Sequence, residues 1–339
     1  MEAKSKKVDR LMKTAMGSKN ALIMPHNYAD PDAIAASVAI KAIFWEKLSL
    51  PSIIAFDGAV GREENRVLCE TLSIETSPAK DIDPDLYDLI VLVDCQPGSG
   101  NNALPEGRKP DIIIDHHPAE VDRRNFTFAD IRDDVGSSST IAAEYLFDSG
   151  TSINSDIATA LIYGIKTDSL NMAIKTKVKD LEAYLHLFPL ANMEKLNMIE
   201  SAQLPGEYFS ALKGAIEEAG IYGNIIVSDL KDVDNPGLVG EFADLFLRLD
   251  SVDTSLCFGV HDEKMLVSIR TNDRGIDAGK IIKFAVGERG TAGGHAAMAG
   301  GQIPLLKETK KEKLDHIKAI RDKVFSRLSI EEKRKVRFD

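Results

Sequence analysis

Four stretches of this 339-residue chain place histidine or aspartate where an apolar run ends. Ala21–Met24 leads into His26-x3-Asp30-x-Asp32, and Leu89–Val93 ends in Asp94. Ile112–Ile114 runs into Asp115-His116-His117, and the stretch Ala160–Thr167 leads to Asp168. Carboxylates crowded together away from water repel one another unless cations neutralise them. The six side chains His26, Asp30, Asp32, Asp94, His116 and Asp168 mix oxygen and nitrogen donors. That mixture suits a pair of divalent ions, Mn2+ better than Mg2+ or Zn2+.

Taken singly, each residue has a plainer reading. Asp30 or Asp32 caps a helix, Asp94 closes a turn, and His116 is a core histidine. Ser138-Ser-Thr140 before a helical stretch reads as a cap. Capping alone does not explain four separate element ends carrying the same chemistry, and the conjunction favours metal.

The elements that must position these groups alternate. Strands are expected at Ala21–Pro25, Ser52–Phe56, Leu89–Val93, Ile112–Ile114 and Phe126–Phe128, and helices at Pro31–Lys47, Ser138–Asp148 and Asp156–Ile165. Such alternation predicts an α/β fold with a mostly parallel sheet and flanking helices, whose ligands sit beyond the carboxyl ends of the strands. A helical connector without strand signal follows. From about Ile221 a smaller α/β pattern begins, with strands Asn224–Val227, Leu256–Val260 and Lys264–Arg270 and helices Leu238–Leu249 and Ala278–Val286. The last two strands form a hairpin across His261–Glu263, and the basic tail from Lys307 has helical spacing. The domains expected are 1–190, a connector 191–219, and 220–339, with the metal site in a cleft between the two domains.

The bulk numbers bound the partners. A net charge of −11 argues against a binder of long duplex nucleic acid. Cys69, Cys95 and Cys257 have no CxxC spacing, so neither a disulfide framework nor a zinc ribbon is expected. The charged amino-terminal stretch lacks a signal-peptide apolar region, and no apolar run nears the ~18 residues of a membrane span. A cytoplasmic protein without a membrane association is the expectation.

Asp115-His116-His117 with its apolar lead, together with His26-x3-Asp30-x-Asp32, Asp94 and Asp168, resembles the DHH phosphoesterase superfamily. Ser268-Ile-Arg270 and Gly293-Gly-His-Ala-Ala-Met-Ala-Gly-Gly301 resemble the DHH-associated carboxyl-terminal domain. The resemblance runs from about Ala21 to Pro304, and two-domain members of this kind include nano-RNases that also dephosphorylate 3′-phosphoadenosine 5′-phosphate (pAp), and the cores of RecJ-type exonucleases and cyclic-dinucleotide phosphodiesterases. It implies one divalent ion held by His26, Asp30 and Asp94, and a second by Asp32, Asp94, His116 and Asp168, with Asp94 shared. Mn2+ is the metal expected, with Mg2+ or Co2+ as alternatives. Asp115 would support the histidines, and His117 would face the scissile phosphate as hydrogen-bond donor or proton source. Two such ions activate a shared water for in-line attack and clamp the phosphoryl oxygens.

The glycine-rich loop opened by Thr291-Ala-Gly-Gly-His295 reads on its residues either as an anion cradle or as a tight turn. The resemblance makes Arg270, Gly293, Gly294 and His295 the pocket for the substrate's terminal phosphate or base. The chain departs from nano-RNases at Asp94-Cys-Gln, Asp168-Ser169 and Ala292-Gly-Gly-His295, while every metal ligand stays in place. Gly98–Asn102 either lines the pocket or forms a surface loop. The implied activity is hydrolysis of short nucleotides: nano-RNA, linear dinucleotides or pAp. A non-catalytic nucleotide sensor, a RecJ-like single-strand exonuclease and an inorganic pyrophosphatase are the alternatives, and relatives of this kind are often homodimers.

Overall fold

Continuous apolar runs make strands buried on both faces, and such strands pair in parallel under helices. The computed structural model describes residues 2–58, 63–119, 121–173, 176–294, 296–306 and 309–330. It divides into two units, Met1–Ala202 and Gln203–Asp339.

The first unit begins with α1 (Glu2–Ala15), β1 (Ala21–Pro25), α2 (Pro31–Leu48), β2 (Ser52–Phe56), α3 (Glu63–Thr71) and the two-residue β3 (Ser77–Pro78). It continues through β4 (Leu89–Val93), β5 (Ile112–Asp115), β6 (Phe128–Ile131), α4 (Ser138–Ser149), α5 (Ser155–Asp168), α6 (Val178–Leu187) and α7 (Met193–Glu200). Its six strands are parallel, in the order β3-β2-β1-β4-β5-β6. The order reverses between β1 and β4, and ligands of open α/β sheets bind at such a switch point. β1 and β4 are aligned from Ala21 opposite Leu89 to Pro25 opposite Val93. His26 and Asp94 therefore leave the sheet side by side at that point.

The sheet's two faces are apolar. Ile23, Val91, Val93, Ile112 and Ile114 pack under the helices, and Leu22, Met24, Ile90 and Leu92 pack under Ile82, Tyr87 and Leu104. Each such side chain contributes roughly 1.5–3 kcal/mol on burial, enough for the sheet to carry acidic groups at its edge. Phe128 begins β6 opposite Ile112, later than the expected Phe126 start, because Arg123–Asn125 form a 3-10 turn first. The amino-terminal helix was not foreseen in the pattern; Val8, Leu11 and Ala15 bury its inner side. Among the described residues no helix is long and apolar enough to cross a membrane.

The second unit contains α8 (Gly206–Glu218), β7 (Gly220–Tyr222), β8 (Ile225–Asp232), α9 (Gly237–Phe246), β9 (Thr254–His261) and β10 (Lys264–Thr271). After these come α10 (Ala278–Val286), β11 (Thr291–Gly294), β12 (Met298–Pro304) and α11 (Lys310–Arg327). The six strands run β11-β12-β10-β9-β8-β7, with β8 and β9 parallel and every other pair antiparallel. The β9–β10 hairpin turns on Asp262 and Glu263, at φ 45° and 59°, the left-handed pair that matches strand twist. Alternation along the strands sends Val267 and Ile269 toward α10 and α11, and Ile226 and Cys257 toward α8 and α9.

The expected glycine-rich loop is corrected here. Thr291–Gly294 is a strand, with Gly293 opposite Gly300 in β12. Glycine is required by close approach rather than by a turn. A Cβ on Gly294 (φ 140°) would meet Ala299 Cα at 2.4 Å, and one on Gly279 of α10 would meet the Gly294 carbonyl at 2.6 Å. His295, Lys307, Glu308 and residues 331–339, on which part of the expectation fell, lie outside the described residues.

Candidate metal centre

His26 follows β1 directly, and its Nδ1–H donates to the Asn27 carbonyl at 2.9 Å. A carbonyl only accepts, so Nδ1 carries the proton and Nε2 is turned inward. It lies 3.5 Å from Asp94 Oδ2 and 3.7 Å from Asp30 Oδ1. A backbone carbonyl fixing one ring nitrogen while the other faces acidic groups is the habit of a metal-ligating imidazole. Asp30 also accepts the Ala33 N–H at 3.0 Å as cap of α2, so the capping reading and the cluster reading both hold for it.

Asp94 sits at φ 59°, a left-handed backbone that aspartate tolerates better than most residues, with its N–H bonded to the Ile114 carbonyl at 2.8 Å. Its other oxygen, Oδ1, lies 3.3 Å from His116 Nε2. His116 Nε2 is also 3.4 Å from Asp168 Oδ2, at the end of α5. His117 stands beside His116, ring centroids 4.3 Å apart, with its Nδ1 3.7 Å from the same Asp94 Oδ1. Its Nδ1 bonds Asp115 Oδ1 at 2.8 Å, and Asp115 Oδ2 accepts Gln96 Nε2 at 2.6 Å.

Three overlapping groups result, His26/Asp30/Asp94, Asp32/His116/Asp168 and Asp94/His116/His117, with donor atoms in each within 4.8 Å of one another. All eight amino-terminal candidates therefore meet at one edge of the first sheet.

The amino end of α4 closes the cluster. Asp32 is fully buried, and its two oxygens accept the Ser138 N–H at 2.7 Å and the Ser139 N–H at 2.8 Å. Ser138 Oγ donates to Asp94 Oδ1 at 2.8 Å. The sequence reading of Ser138-Ser-Thr140 as the cap is corrected: the cap is Ser137, whose Oγ accepts the Thr140 N–H at 3.1 Å. That frees Ser138 and Ser139 to hold the acidic pair. α5 presses against this corner at Gly164, where a Cβ would stand 2.3 Å from Ser139 Oγ and 3.1 Å from Asp32 Cα. Ser138, Ser139, Gly164 and Gln96 were not singled out in the sequence as parts of the site, and only the Gly-Ser-Ser-Ser run could have signalled an anion-binding helix start.

The charge state fits a cation. Burial, then the charges of Asp94 and Asp168, push the Asp32 carboxyl well above the usual carboxylate range. Burial alone would lower His26 and His116, yet the carboxylates around them raise both to about 10. Protons thus sit where positive charge is wanted. The buried His116 Nε2 makes no hydrogen bond although carboxylate oxygens surround it. An orphaned imidazole nitrogen among carboxylates, in a mixed nitrogen and oxygen set, is a donor set that divalent first-row ions satisfy. No thiol competes. Cys95, next in sequence, is buried with Leu22 and Met24, and burial pushes its thiol well up.

The second-unit candidates are placed differently. Arg270 of β10 gives its Nε to Asp244 Oδ1 at 2.5 Å, and its Nη1 to Ser268 Oγ at 2.7 Å and the Ile269 carbonyl at 3.0 Å. Gly293 and Gly294 lie on β11, and a Cβ on Gly293 would touch nothing within 4 Å. In the first unit, the Gly98–Asn102 loop is tied to the site's edge. The Asn101 carbonyl accepts the Asn27 N–H at 2.5 Å, and Asn102 Nδ2 donates to the Gln96 carbonyl at 2.9 Å.

Residues 20–165 match the DHH family, N-terminal domain, and residues 223–327 match the DHHA1 domain. An uncharacterized protein of Methanocaldococcus jannaschii is 32% identical over 323 residues, covering 93% of this chain; the chain spans 65% of that relative's length. An exopolyphosphatase-related protein from Bacteroides fragilis shares the fold at TM-score 0.72 and 15% identity, over 97% of this chain and 98% of that one. RecJ from Thermus thermophilus, solved in complex with Mn2+, aligns at TM-score 0.55 and 16% identity over 99% of this chain and 56% of its own. With the two domains matched in order across most of its length, the chain belongs to the DHH family and has the phosphoesterase fold of that family.

Proposed function

We propose that the chain is a phosphoesterase that hydrolyses short nucleotides with two divalent cations, Mn2+ foremost. One cation would be held by His26, Asp30 and Asp94, the other by Asp32, Asp94, His116 and Asp168. The observation that carries this reading is Asp94 itself, whose Oδ2 faces His26 Nε2 at 3.5 Å while Oδ1 faces His116 Nε2 at 3.3 Å. One carboxylate turned to two imidazoles is the arrangement a shared ligand needs. The cations would supply an activated water and neutralise the phosphoryl oxygens of the substrate.

The chain's own residues divide the remaining work. Asp115 Oδ1 accepts the Nδ1–H of His117 and fixes that ring, so His117 meets substrate with Nε2. Burial alone would lower the His117 pKa, but the bond to Asp115 and the charge of Asp94 outweigh it and raise it. The raised pKa favours the protonated ring, the form that can protonate a leaving oxygen. For the substrate's distal phosphate or base, Arg270, Gly293, Gly294 and His295 remain the candidates, supported by the open space over Gly293.

The test is a substrate panel at fixed Mn2+: pAp, pApA, pGpG, a short oligoribonucleotide, cyclic di-AMP and pyrophosphate. Release of phosphate or mononucleotide from pAp or the linear species, and none after chelation, is expected. Tight binding without product release would turn the reading to a nucleotide sensor.

A further inference from the structure

Asp180 lies on α6, outside every motif read from the sequence, yet it is a fully buried carboxylate. Its Oδ1 and Oδ2 accept the Gly136 N–H at 2.9 and 2.8 Å, Oδ2 accepts the Lys177 N–H at 2.7 Å, and Oδ1 accepts the Thr140 hydroxyl at 2.6 Å. These bonds use its acceptor capacity. The segment it grips, Gly136 to Thr140, is the one that reaches the acidic cluster. Between Gly136 and Thr140 stand the Ser138 and Ser139 N–H groups bonded to Asp32, and the Ser138 hydroxyl bonded to Asp94.

We propose that Asp180 is a positioning residue for the metal centre, acting through the amino end of α4. It clamps the segment on both sides of Ser138 and Ser139, so these three bonds reach Asp32 and Asp94 in one fixed geometry. Two buried carboxylates, Asp32 and Asp180, thus both bond the amino end of a single helix, where its dipole is positive. Without Asp180 the Gly136 N–H loses its acceptor and the Thr140 hydroxyl keeps only Ser137 Oγ, at 3.0 Å; the segment relaxes, and the carboxylates of Asp32 and Asp94 lose their orientation. A group that acts only on fold stability would lower the melting temperature and leave the metal affinity as it was. A group that orients the ligands changes the affinity itself, by the 10–100-fold typical of residues bonded to ligating side chains.

This rests on the two-cation reading, and the experiment separates the two. Mn2+ titration calorimetry on the full chain compares wild type with Asp180→Asn, Thr140→Val, Thr140→Ser and Tyr145→Phe. Tyr145 lies further along α4 and donates to Asp130 at 2.5 Å, away from the clamp. Asp180→Asn is expected to weaken Mn2+ binding about tenfold or more, and Thr140→Val by a smaller factor. Thr140→Ser, which keeps the hydroxyl, should bind as wild type does. Tyr145→Phe should melt lower with its Mn2+ affinity unchanged. If Asp180→Asn does not fold, Thr140→Val decides alone, because it keeps Asp180 and its backbone bonds. Wild-type affinity in both Asp180→Asn and Thr140→Val, or an equal loss in Tyr145→Phe, overturns the positioning role. A wild-type chain that binds no Mn2+ overturns the metal reading itself.

Discussion

Ser138 donates its hydroxyl to Asp94 across 44 residues of sequence, at 2.8 Å, while its own backbone N–H is bonded to Asp32. One residue at a helix start thus touches ligands proposed for both cations. Ser138→Ala removes only the bond to Asp94, since the backbone bond to Asp32 survives. We expect Mn2+ affinity to fall about tenfold, as for other partners of ligating groups. Calorimetry on the purified variant checks this; unchanged affinity would make the hydroxyl a bystander.

Gly164 of α5 is expected to tolerate no side chain. Its Cβ position is 2.3 Å from Ser139 Oγ and 3.1 Å from Asp32 Cα, so a methyl group must move the very corner that holds Asp32. Overpacking of this kind costs about 1–3 kcal/mol. Gly164→Ala should therefore show both a lower denaturation midpoint and weaker Mn2+ binding, read by denaturant titration and calorimetry on the same sample.

The adjacent histidines should separate by phenotype. His116→Ala removes a nitrogen that faces Asp94 and Asp168, and is expected to lose bound Mn2+. His117→Ala leaves that nitrogen in place and removes the ring held by Asp115, so turnover should fall more than metal content. Metal analysis beside turnover rates decides; equal Mn2+ loss in the two variants would contradict the division.

Cation binding should release protons. In the cation-free chain His26 and His116 are raised from 6.5 to about 10, so they are protonated at neutral pH. Their stabilising share is present below about 6.5 and is lost as pH rises toward about 10. A metal ligand must be neutral, so Mn2+ displaces these protons and its affinity should rise with pH. Calorimetry in two buffers of different ionisation enthalpy should give different apparent heats at neutral pH. Identical heats would mean that the imidazoles are already neutral.

The residues proposed for the chemistry were legible because they end apolar runs. β1, β4 and β5 carry the unbroken apolar runs Ala21–Met24, Leu89–Val93 and Ile112–Ile114, and His26, Asp94, Asp115 and His116 stand at or just past their ends. The Ala278–Val286 helix could be read from its spacing because one apolar side faces the sheet. What the pattern hid were bonds between distant residues. Asp32 meets Ser139 across 107 residues, and Asp180 meets Gly136 from a different helix. Nothing local marks such pairs, because the backbone N–H that Asp32 uses is present at every residue but proline. The β11 strand was hidden for another reason: Thr291–Gly294 carries two glycines that look like a loop until α10 and β12 close on them.

The claim that Asp94 serves two cations is tested most directly by Mn2+ stoichiometry and hydrolysis in wild type and Asp94→Ala together. Wild type should bind two Mn2+ per chain and release product from the nucleotide that the substrate panel selects. Asp94→Ala should remain folded by circular dichroism, since what it loses is contacts to His26, His116 and Ser138 rather than core packing. It should bind neither ion with wild-type affinity and show no turnover. Wild-type turnover by Asp94→Ala at saturating Mn2+ would contradict the account.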